Sequence, residues 1–427
     1  MIARIQPGEV EGQLQAPPSK SAMQRACAAA LLSGGETILH HFGSSNDDRA
    51  AIEIIKGLGA RVDILDENRL HITSNGVHPL QSKLNCGESG LSLRMFTPIA
   101  ALSEQPILLT GSGTLMKRPM HFFDDVLPAL GVRVSSNNGM LPLQVKGPLH
   151  PRDIEIDGSV SSQFLTGLLM AFIGANARGV SIKVKHLNSK PYVAVTLDLM
   201  SHFGMKMPFY DASFELFQFD DTPPSLSSGV HKYHVEGDWS GAAFLLVAGA
   251  IGSSVCVAGL DPQSKQADRA VLDALSAAEA NVMVTNAYIQ VTKTKLKAFQ
   301  FDATECPDLF PPLAVLAAYA EGVSVIKGVS RLLHKESNRG EVLQQELKKM
   351  GVSIELNNDD MMITGRESLQ AGVLHSHHDH RIAMAAAVAA LGAYGTQIIE
   401  DAEAVAKSYP NFFEDLRKLG VQVSLSH

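Results

Sequence analysis

The chain has 427 residues, 45% of them hydrophobic and 19% charged, with a net charge of −8. That length exceeds one ordinary core and predicts two domains. The acidic balance excludes a nucleic-acid or anionic-membrane partner, because a polyanion needs a basic surface, so any anionic ligand is small and meets a local cluster of cations.

The N-terminal stretch MIARIQPGEVEGQLQ has no apolar signal core, so no secretion is expected. Cys27, Cys86, Cys256 and Cys306 stand far apart without a Cys-x-x-Cys pair. This predicts free thiols in small core positions and a cytoplasmic protein. From residue 26 onward one phrase recurs: an apolar helix of small residues, a break, then a β-branched strand. It reads ACAAALLSGGETILH, FTPIAALSEQPILLTG, FLTGLLMAFIGANARGVSIKV, AAFLLVAGAIGSSVCVAG, PPLAVLAAYAEGVSVIKG and MAAAVAALGAYGTQIIE. The fourth copy lies in an uncharged stretch, 241–260, long enough at about 20 residues to span a bilayer. Its central GAIGSS predicts instead a buried helix, a glycine break and a strand.

A second phrase follows each copy, a helix that closes on glycine and runs into an alternating strand. Its break residues are Gly59, Gly131, Gly204, Glu279, Gly351 and Gly420, spaced by 72, 73, 75, 72 and 69. Glycine suits a left-handed helix C-cap, so Glu279 marks a copy that has drifted. Most copies add a short closing strand (RLHITS, LPLQVKG, YIQVTK, MMITG), which makes the unit βαβαββ and the fold class α/β. The sixth copy ends at VSLSH without that strand, and IARIQ at 2–6 is expected to supply it. Six units in two groups of three predict two similar domains, 18–233 and 1–17 plus 234–427.

Each apolar helix opens on a polar cluster: PSKSAMQR, GESGLSLR, GSVSSQF, GDWSGAA, CPDLFPP and HHDHRIA. Helix N-termini present unpaired N–H groups and the positive end of the helix dipole, and so bind anions. Ser, Asp and Gly are also ordinary cap residues. That plainer reading is preferred for GDWSGAA, whereas Lys, Arg, Gln and His in the other clusters exceed what a cap needs.

These clusters carry a resemblance. SKSAMQRA (19–26), KRP (117–119), DGSVSSQFLTGLLMA (157–171), NSKPYVAVTLDLM (188–200), CPDLFPPLAVLAA (306–318), HKESNR (334–339), DHRIAMA (379–385) and KSYPNFFEDL (407–416) resemble, in order, the 5-enolpyruvylshikimate-3-phosphate synthase family. The resemblance implies two domains of three βαβαββ units, an inside-out α/β barrel arrangement, with the active site in the interdomain cleft. It implies transfer of an enolpyruvyl group from phosphoenolpyruvate to the 5-hydroxyl of shikimate-3-phosphate through a tetrahedral intermediate. Phosphate leaves, no metal or organic cofactor is used, and the protein is a monomer that closes on shikimate-3-phosphate. By position in the motifs, Asp308, Glu336 and Lys20 handle protons. Lys20, Ser21, Arg25, Ser161, Ser162, Gln163, Ser189, Tyr192, Asp308 and Lys335 hold shikimate-3-phosphate. Lys20, Gly90, Arg118, Gln163, Arg339, His380, Arg381 and Lys407 hold phosphoenolpyruvate. Taken alone, each serine reads as an N-cap, Asp308 as a helix cap and Glu336 as surface charge.

Residues 375–381, HSHHDHR, hold four of the sixteen histidines and fit the His-x-His-x-Asp-His spacing of dinuclear zinc hydrolases. Such a site needs further ligands downstream, and after His380 the only histidine is His427. No metal is expected; His380 and Arg381 fit the family's anion-binding pair, and His375, His377 and His378 read as loop residues. The chain also departs from the family pattern. Glu88, Leu91 and Met95 replace the usual Asn, Thr and Pro, Asn338 replaces Asp, and Arg331 stands where Asn is usual. Leu91 is expected to alter the response to glyphosate. The sister enzyme that loads UDP-N-acetylglucosamine uses a loop cysteine absent from GSGTLMKRP (111–119), and a non-catalytic anion binder has no need of both carboxylates.

Overall fold

The computed structural model describes residues 1–222, 229–333 and 335–426; His334 and His427 lie outside the described residues. The chain divides into a continuous unit, Pro18–Val235, and a discontinuous one, Met1–Pro17 with Glu236–His427.

The continuous unit contains three four-stranded sheets of one pattern. Lys83–Asn85 enters the helix Gly90–Ala100 and lies parallel to Ile107–Thr110, which leaves it; Leu143–Lys146 and Arg133–Ser136 then add antiparallel. Ile154–Asp157, the helix Ser162–Gly174, Val180–Lys185, Leu216–Phe219 and Phe209–Tyr210 repeat that order. The parallel pair follows from a strand–helix–strand crossover, and the hairpin from a short reversal. In the remaining sheet Val230–His234 lies parallel to Gly35–His40, because Glu11–Gln15, the strand before the helix Lys20–Ser33, pairs instead with Ser254–Ala258 of the discontinuous unit. The two crossings of the chain thus exchange one entering strand for the other.

The opening helices of this unit are buried along most of their length. A side chain at Gly167 would come within 2.7 Å of the Arg94 carbonyl oxygen and 2.8 Å of that of Met95. Only glycine lets those two helices approach so closely, which outweighs its poor helix propensity.

The discontinuous unit repeats the plan. Its sheets are Glu11–Gln15, Ser254–Ala258, Tyr288–Thr292 and Asn281–Val284; then Gln300–Asp302, Val323–Lys327, Asp360–Thr364 and Ser353–Asn357. In the last, Ile2–Ile5 lies antiparallel between Gln397–Glu400 and Val423–Ser426. The N-terminal strand therefore occupies the closing position missing from the sixth copy. The stretch 241–260 is a buried helix, Trp239–Ile251, a break at Gly252 and the strand Ser254–Ala258. Among the described residues no helix is long and apolar enough to cross a membrane.

All six break residues adopt positive φ: Gly59, Gly131, Gly204, Gly351 and Gly420 at 63–112°, and Glu279 at 57°. The drifted copy keeps the left-handed turn without the residue that suits it. Cys27, Cys86 and Cys306 are buried and Cys256 is half-buried, all as free thiols; burial pushes Cys86 up to about 12.

Candidate active site

In the continuous unit two of the opening helices carry cations in their first two turns, Lys20 and Arg25 in one and Arg94 in another, and the third begins on Ser161, Ser162 and Gln163. Ser19 caps the helix Lys20–Ser33 by accepting from the Ala22 N–H, which leaves Lys20 in its first turn. Lys20 Nζ donates to Asp47 Oδ2 at 2.9 Å; Asp47 is buried at the start of the helix Asn46–Gly57. One turn on, Arg25 is buried and donates from Nη1 to the Ser21 carbonyl and hydroxyl at 2.9 and 2.5 Å, and from Nε to Thr196 Oγ1 at 2.8 Å. Its Nη2 reaches the Tyr192 carbonyl at 3.5 Å. Burial pulls this guanidinium down to about 10, still charged at neutral pH. Thr196 also meets Thr166 at 3.0 Å, which ties Arg25 to the helix that begins at Ser162. Ser161 is the N-cap of that helix, its hydroxyl accepting from the Gln163 N–H at 3.3 Å. Ser189 stands at the start of the helix Lys190–His202 with φ 58° and makes no side-chain cap bond.

A second group forms around Gly90. A side chain there would lie 2.8 Å from Arg118 Nη1, 3.3 Å from Arg94 Nη1 and 3.8 Å from Gln163 Oε1. Arg94 donates to Gln163 Oε1 at 3.0 Å and stacks its guanidinium over Phe164 at 5.2 Å. Arg118 is buried. Two guanidiniums thus converge where glycine supplies no side chain.

The discontinuous unit holds a denser network. Asp308, in the short turn Pro307–Leu309, does not cap the helix that follows: its Oδ1 accepts from Lys335 Nζ at 3.1 Å and Arg339 Nη1 at 2.6 Å, and its Oδ2 from Arg381 Nη2 at 3.2 Å. Nor is Glu336 surface charge, since it accepts from Arg339 Nη2 at 2.7 Å and lies 3.4 Å from Lys407 Nζ. Arg339 opens the helix Arg339–Lys349 and makes a two-point pair with Asp379, 2.8 Å from Nε and 3.1 Å from Nη2. Asp379 caps the helix His380–Ala389 through the Arg381 N–H at 3.0 Å. His380 is buried beside it, Nδ1 3.7 Å from Asp379 Oδ1.

Burial alone raises an aspartate, yet the Arg381, Lys335 and Arg339 charges hold Asp308 well below the usual carboxylate range. Desolvation likewise lowers Arg339, and the Asp379, Glu336 and Asp308 carboxylates more than restore it. Lys335 is lowered by burial, with Asp308 opposing. Asp268 is fully buried and accepts from the Ser240 hydroxyl; desolvation, then the Asp308 charge, push it up to about 7.

Residues 5–416 match the sequence pattern of the family described as EPSP synthase (3-phosphoshikimate 1-carboxyvinyltransferase). The chain belongs to the EPSP synthase family. A 3-phosphoshikimate 1-carboxyvinyltransferase from Clostridium novyi is 36% identical over 426 residues, 98% of this chain and 97% of that one. Another from Thermococcus kodakarensis is 40% identical over 411 residues, 96% and 98% of the two chains. The solved EPSP synthase of Acinetobacter baumannii superposes with a TM-score of 0.80 at 25% identity, covering 99% of this chain and 100% of that one. The enolpyruvyl transferase NikO of Streptomyces tendae, at 17% identity and a TM-score of 0.75 over 99% and 98% of the chains, shares the fold.

Against the EPSP synthase pattern, Glu88 is half-buried, and its carboxylate sits where a side chain on Gly113 would lie, 2.1 Å from that built Cβ. Leu91 and Met95 pack into the core of the continuous unit. Asn338 precedes Arg339 without a side-chain cap bond. Arg331 is half-buried, its guanidinium lowered by burial against the opposing Glu305, Asp308 and Asp359 charges. Sequence reasoning assigned no role to Arg94, Asp47, Asp379 or Asp268. Arg94 and Asp379 stand inside quoted motifs; Asp47 and Asp268 carry no sequence signal beyond an acid at a helix start. His375 ends the strand Val373–His375 rather than lying in a loop; its N–H and His377 Nε2 share Glu346, and the His378 N–H meets Asp401.

Proposed function

We propose that this chain transfers the enolpyruvyl group of phosphoenolpyruvate to the 5-hydroxyl of shikimate-3-phosphate and releases phosphate. The observation that carries this reading lies around Asp308. Its carboxylate is held ionised among Lys335, Arg339 and Arg381, while Nε and Nη1 of Arg381 are buried with no hydrogen-bonding partner among the described residues. Buried donors without acceptors are rare, and a guanidinium fork matches a carboxylate or phosphate. An oxyanion on Arg381 is thereby bound beside a proton acceptor.

The substrates carry two phosphates and two carboxylates between them. Lys20, Gly90, Arg118, Gln163, Arg339, His380, Arg381 and Lys407 serve phosphoenolpyruvate, with Arg94 supporting Gln163. Ser21, Arg25, Ser161, Ser162, Gln163, Ser189 and Tyr192, with Lys335 and Asp308, serve shikimate-3-phosphate. Each charge-assisted contact contributes about 1.5–3 kcal/mol.

In the first step the 5-hydroxyl oxygen bonds to C2 of phosphoenolpyruvate, its proton passes to a carboxylate, and C3 gains a proton. In the second, the C2–O bond to phosphate breaks and C3 gives up a proton, leaving the enol ether and inorganic phosphate. A carboxylate held as low as Asp308 is a weak base in the free protein. Anionic substrates that draw its cationic neighbours onto themselves raise its proton affinity, so the base strengthens when substrate is present. Glu336 and Lys20 carry the remaining proton transfers.

Free thiols throughout fit a cytoplasmic protein. A monomer is expected, and sedimentation tests it. The deciding experiment is phosphate release from metal-stripped protein given phosphoenolpyruvate with and without shikimate-3-phosphate. Release that requires both substrates, and that disappears in Asp308→Ala and Glu336→Ala, supports the reading; no release with shikimate-3-phosphate still bound favours a non-catalytic anion binder.

A further inference from the structure

The histidine run has a physical role that neither a metal nor an anion explains. His377 and His378 are consecutive non-glycine residues in the left-handed region, with φ 54° and 57°. They lie between the strand Val373–His375 and the helix His380–Ala389, immediately before Asp379. L-residues resist that conformation, so something must hold both. Two carboxylates do. Glu346, buried in the helix that Arg339 opens, accepts from the His375 N–H at 3.0 Å and pairs with His377 Nε2 at 2.8 Å. Lys349 Nζ completes it at 2.7 Å. Asp401, which begins the turn Ala402–Lys407, accepts from the His378 N–H at 2.8 Å and from the Ser376 hydroxyl. The His377 N–H also donates to His375 Nδ1 at 2.8 Å.

The two clamps come from the elements that carry Arg339 and Lys407, and the clamped loop delivers Asp379 and Arg381. We propose that His377 is a positioning residue for the reaction: its ring, tied to Glu346, holds loop 376–379 in the double left-handed turn that sets Asp379 on Arg339 and Arg381 on Asp308. The ring is two-thirds covered, with 32% of the side chain exposed, whereas the His378 ring, whose Nδ1 lies 3.0 Å from Asp401 Oδ2, is 70% exposed, so solvent weakens that pair. This role rests on the enolpyruvyl-transfer reading.

The test is steady-state phosphate release by His377→Ala, His377→Gln and His377→Gly in the full chain, with thermal unfolding of each. The alanine variant is expected to raise KM for phosphoenolpyruvate and lower kcat, together about 10- to 100-fold in kcat/KM, through misplacement of Arg381. KM for shikimate-3-phosphate stays within about twofold, because the misplaced groups serve the other substrate. Glutamine, whose amide N–H reaches Glu346 as the ring does, is expected to restore most of the loss; glycine, which relieves φ but not the lost clamp, is not. Unchanged kinetics in the alanine variant overturn the proposal, as does full activity in the glycine variant. Equal loss for both substrates accompanied by a fall in melting temperature overturns it too. Should the wild type not turn over at all, the reaction reading fails separately, and calorimetric titration with phosphoenolpyruvate decides the positioning claim. Weaker binding by the alanine variant than by wild type supports it; equal binding, or none by wild type, overturns it.

Discussion

Arg339 and Asp379 meet in a two-point pair, Nε to Oδ2 at 2.8 Å and Nη2 to Oδ1 at 3.1 Å, with both side chains withdrawn from solvent. The same guanidinium reaches Asp308 through Nη1 and Glu336 through Nη2. One arginine thus fixes the distance between the two carboxylates assigned to proton transfer. Lysine keeps the charge but not the planar fork, so Arg339→Lys should lower kcat/KM at least about 100-fold, equivalent to about 3 kcal/mol of transition-state stabilisation. Asp379→Ala, which strips a buried partner from that charge, should cost about 3–5 kcal/mol of stability in urea unfolding.

Asp268 and Asp308 oppose each other in their pH dependence. Asp268 in the folded chain stands at about 7 against an ordinary 3.8, so the folded state binds the extra proton between those values and its contribution to stability falls as pH rises through that window. Asp268→Asn has no proton to lose. Its stability relative to wild type should therefore grow from pH 4 to pH 8, by on the order of 3 kcal/mol. Asp308 lies below its ordinary value, so its stabilisation is present above about pH 4 and lost as pH falls through its folded pKa. Asp308→Asn should flatten the acid limb, and Asp268→Asn should not. Denaturant midpoints across pH separate the two.

Gly90 has ordinary helical backbone, unlike the break glycines, so its importance is spatial. An alanine methyl would meet Arg118 Nη1 at 2.8 Å and Arg94 Nη1 at 3.3 Å, both the far ends of flexible side chains. Gly90→Ala should fold with unfolding free energy within about 1 kcal/mol of wild type. It should raise KM for phosphoenolpyruvate about tenfold or more, since one displaced charge-assisted bond is equivalent to at least about 1.5 kcal/mol. A large stability loss with unchanged KM would contradict it.

The fold was legible because its determinants are local and repeated: six apolar helices, six left-handed breaks and a closing strand missing from the last copy, which Ile2–Ile5 fills. Most of the cations were legible because they stand in motifs, though Arg94, inside GESGLSLR, was passed over. What escaped were groups whose importance comes from burial and long-range pairing. Asp47 lies 27 residues from its Lys20 partner, inside an ordinary helix-cap sequence. In QADRA, Asp268 reads as a surface acid until burial beside Asp308 raises its proton affinity. The histidines of 375–378 suggested metal by composition alone, whereas their conformation is set by Glu346 and Asp401, distant in sequence.

Glu279 is the one break residue with a side chain, at φ 57°, where the five equivalent positions carry glycine. It is exposed at the end of the helix Val271–Ala277, and its N–H closes the turn onto the Ser276 carbonyl at 3.0 Å. A left-handed L-residue costs roughly 1–2 kcal/mol from the clash between Cβ and the following carbonyl. Glycine removes that clash but loses more chain entropy on folding, roughly 0.5–1 kcal/mol. Glu279→Gly should therefore stabilise the discontinuous unit by about 0.5–1 kcal/mol, with kcat and both KM values unchanged, because the residue lies outside every group assigned to substrate. Glu279→Ala, which keeps Cβ, should give no such gain, and urea unfolding of the pair separates relief of the left-handed strain from loss of a surface charge.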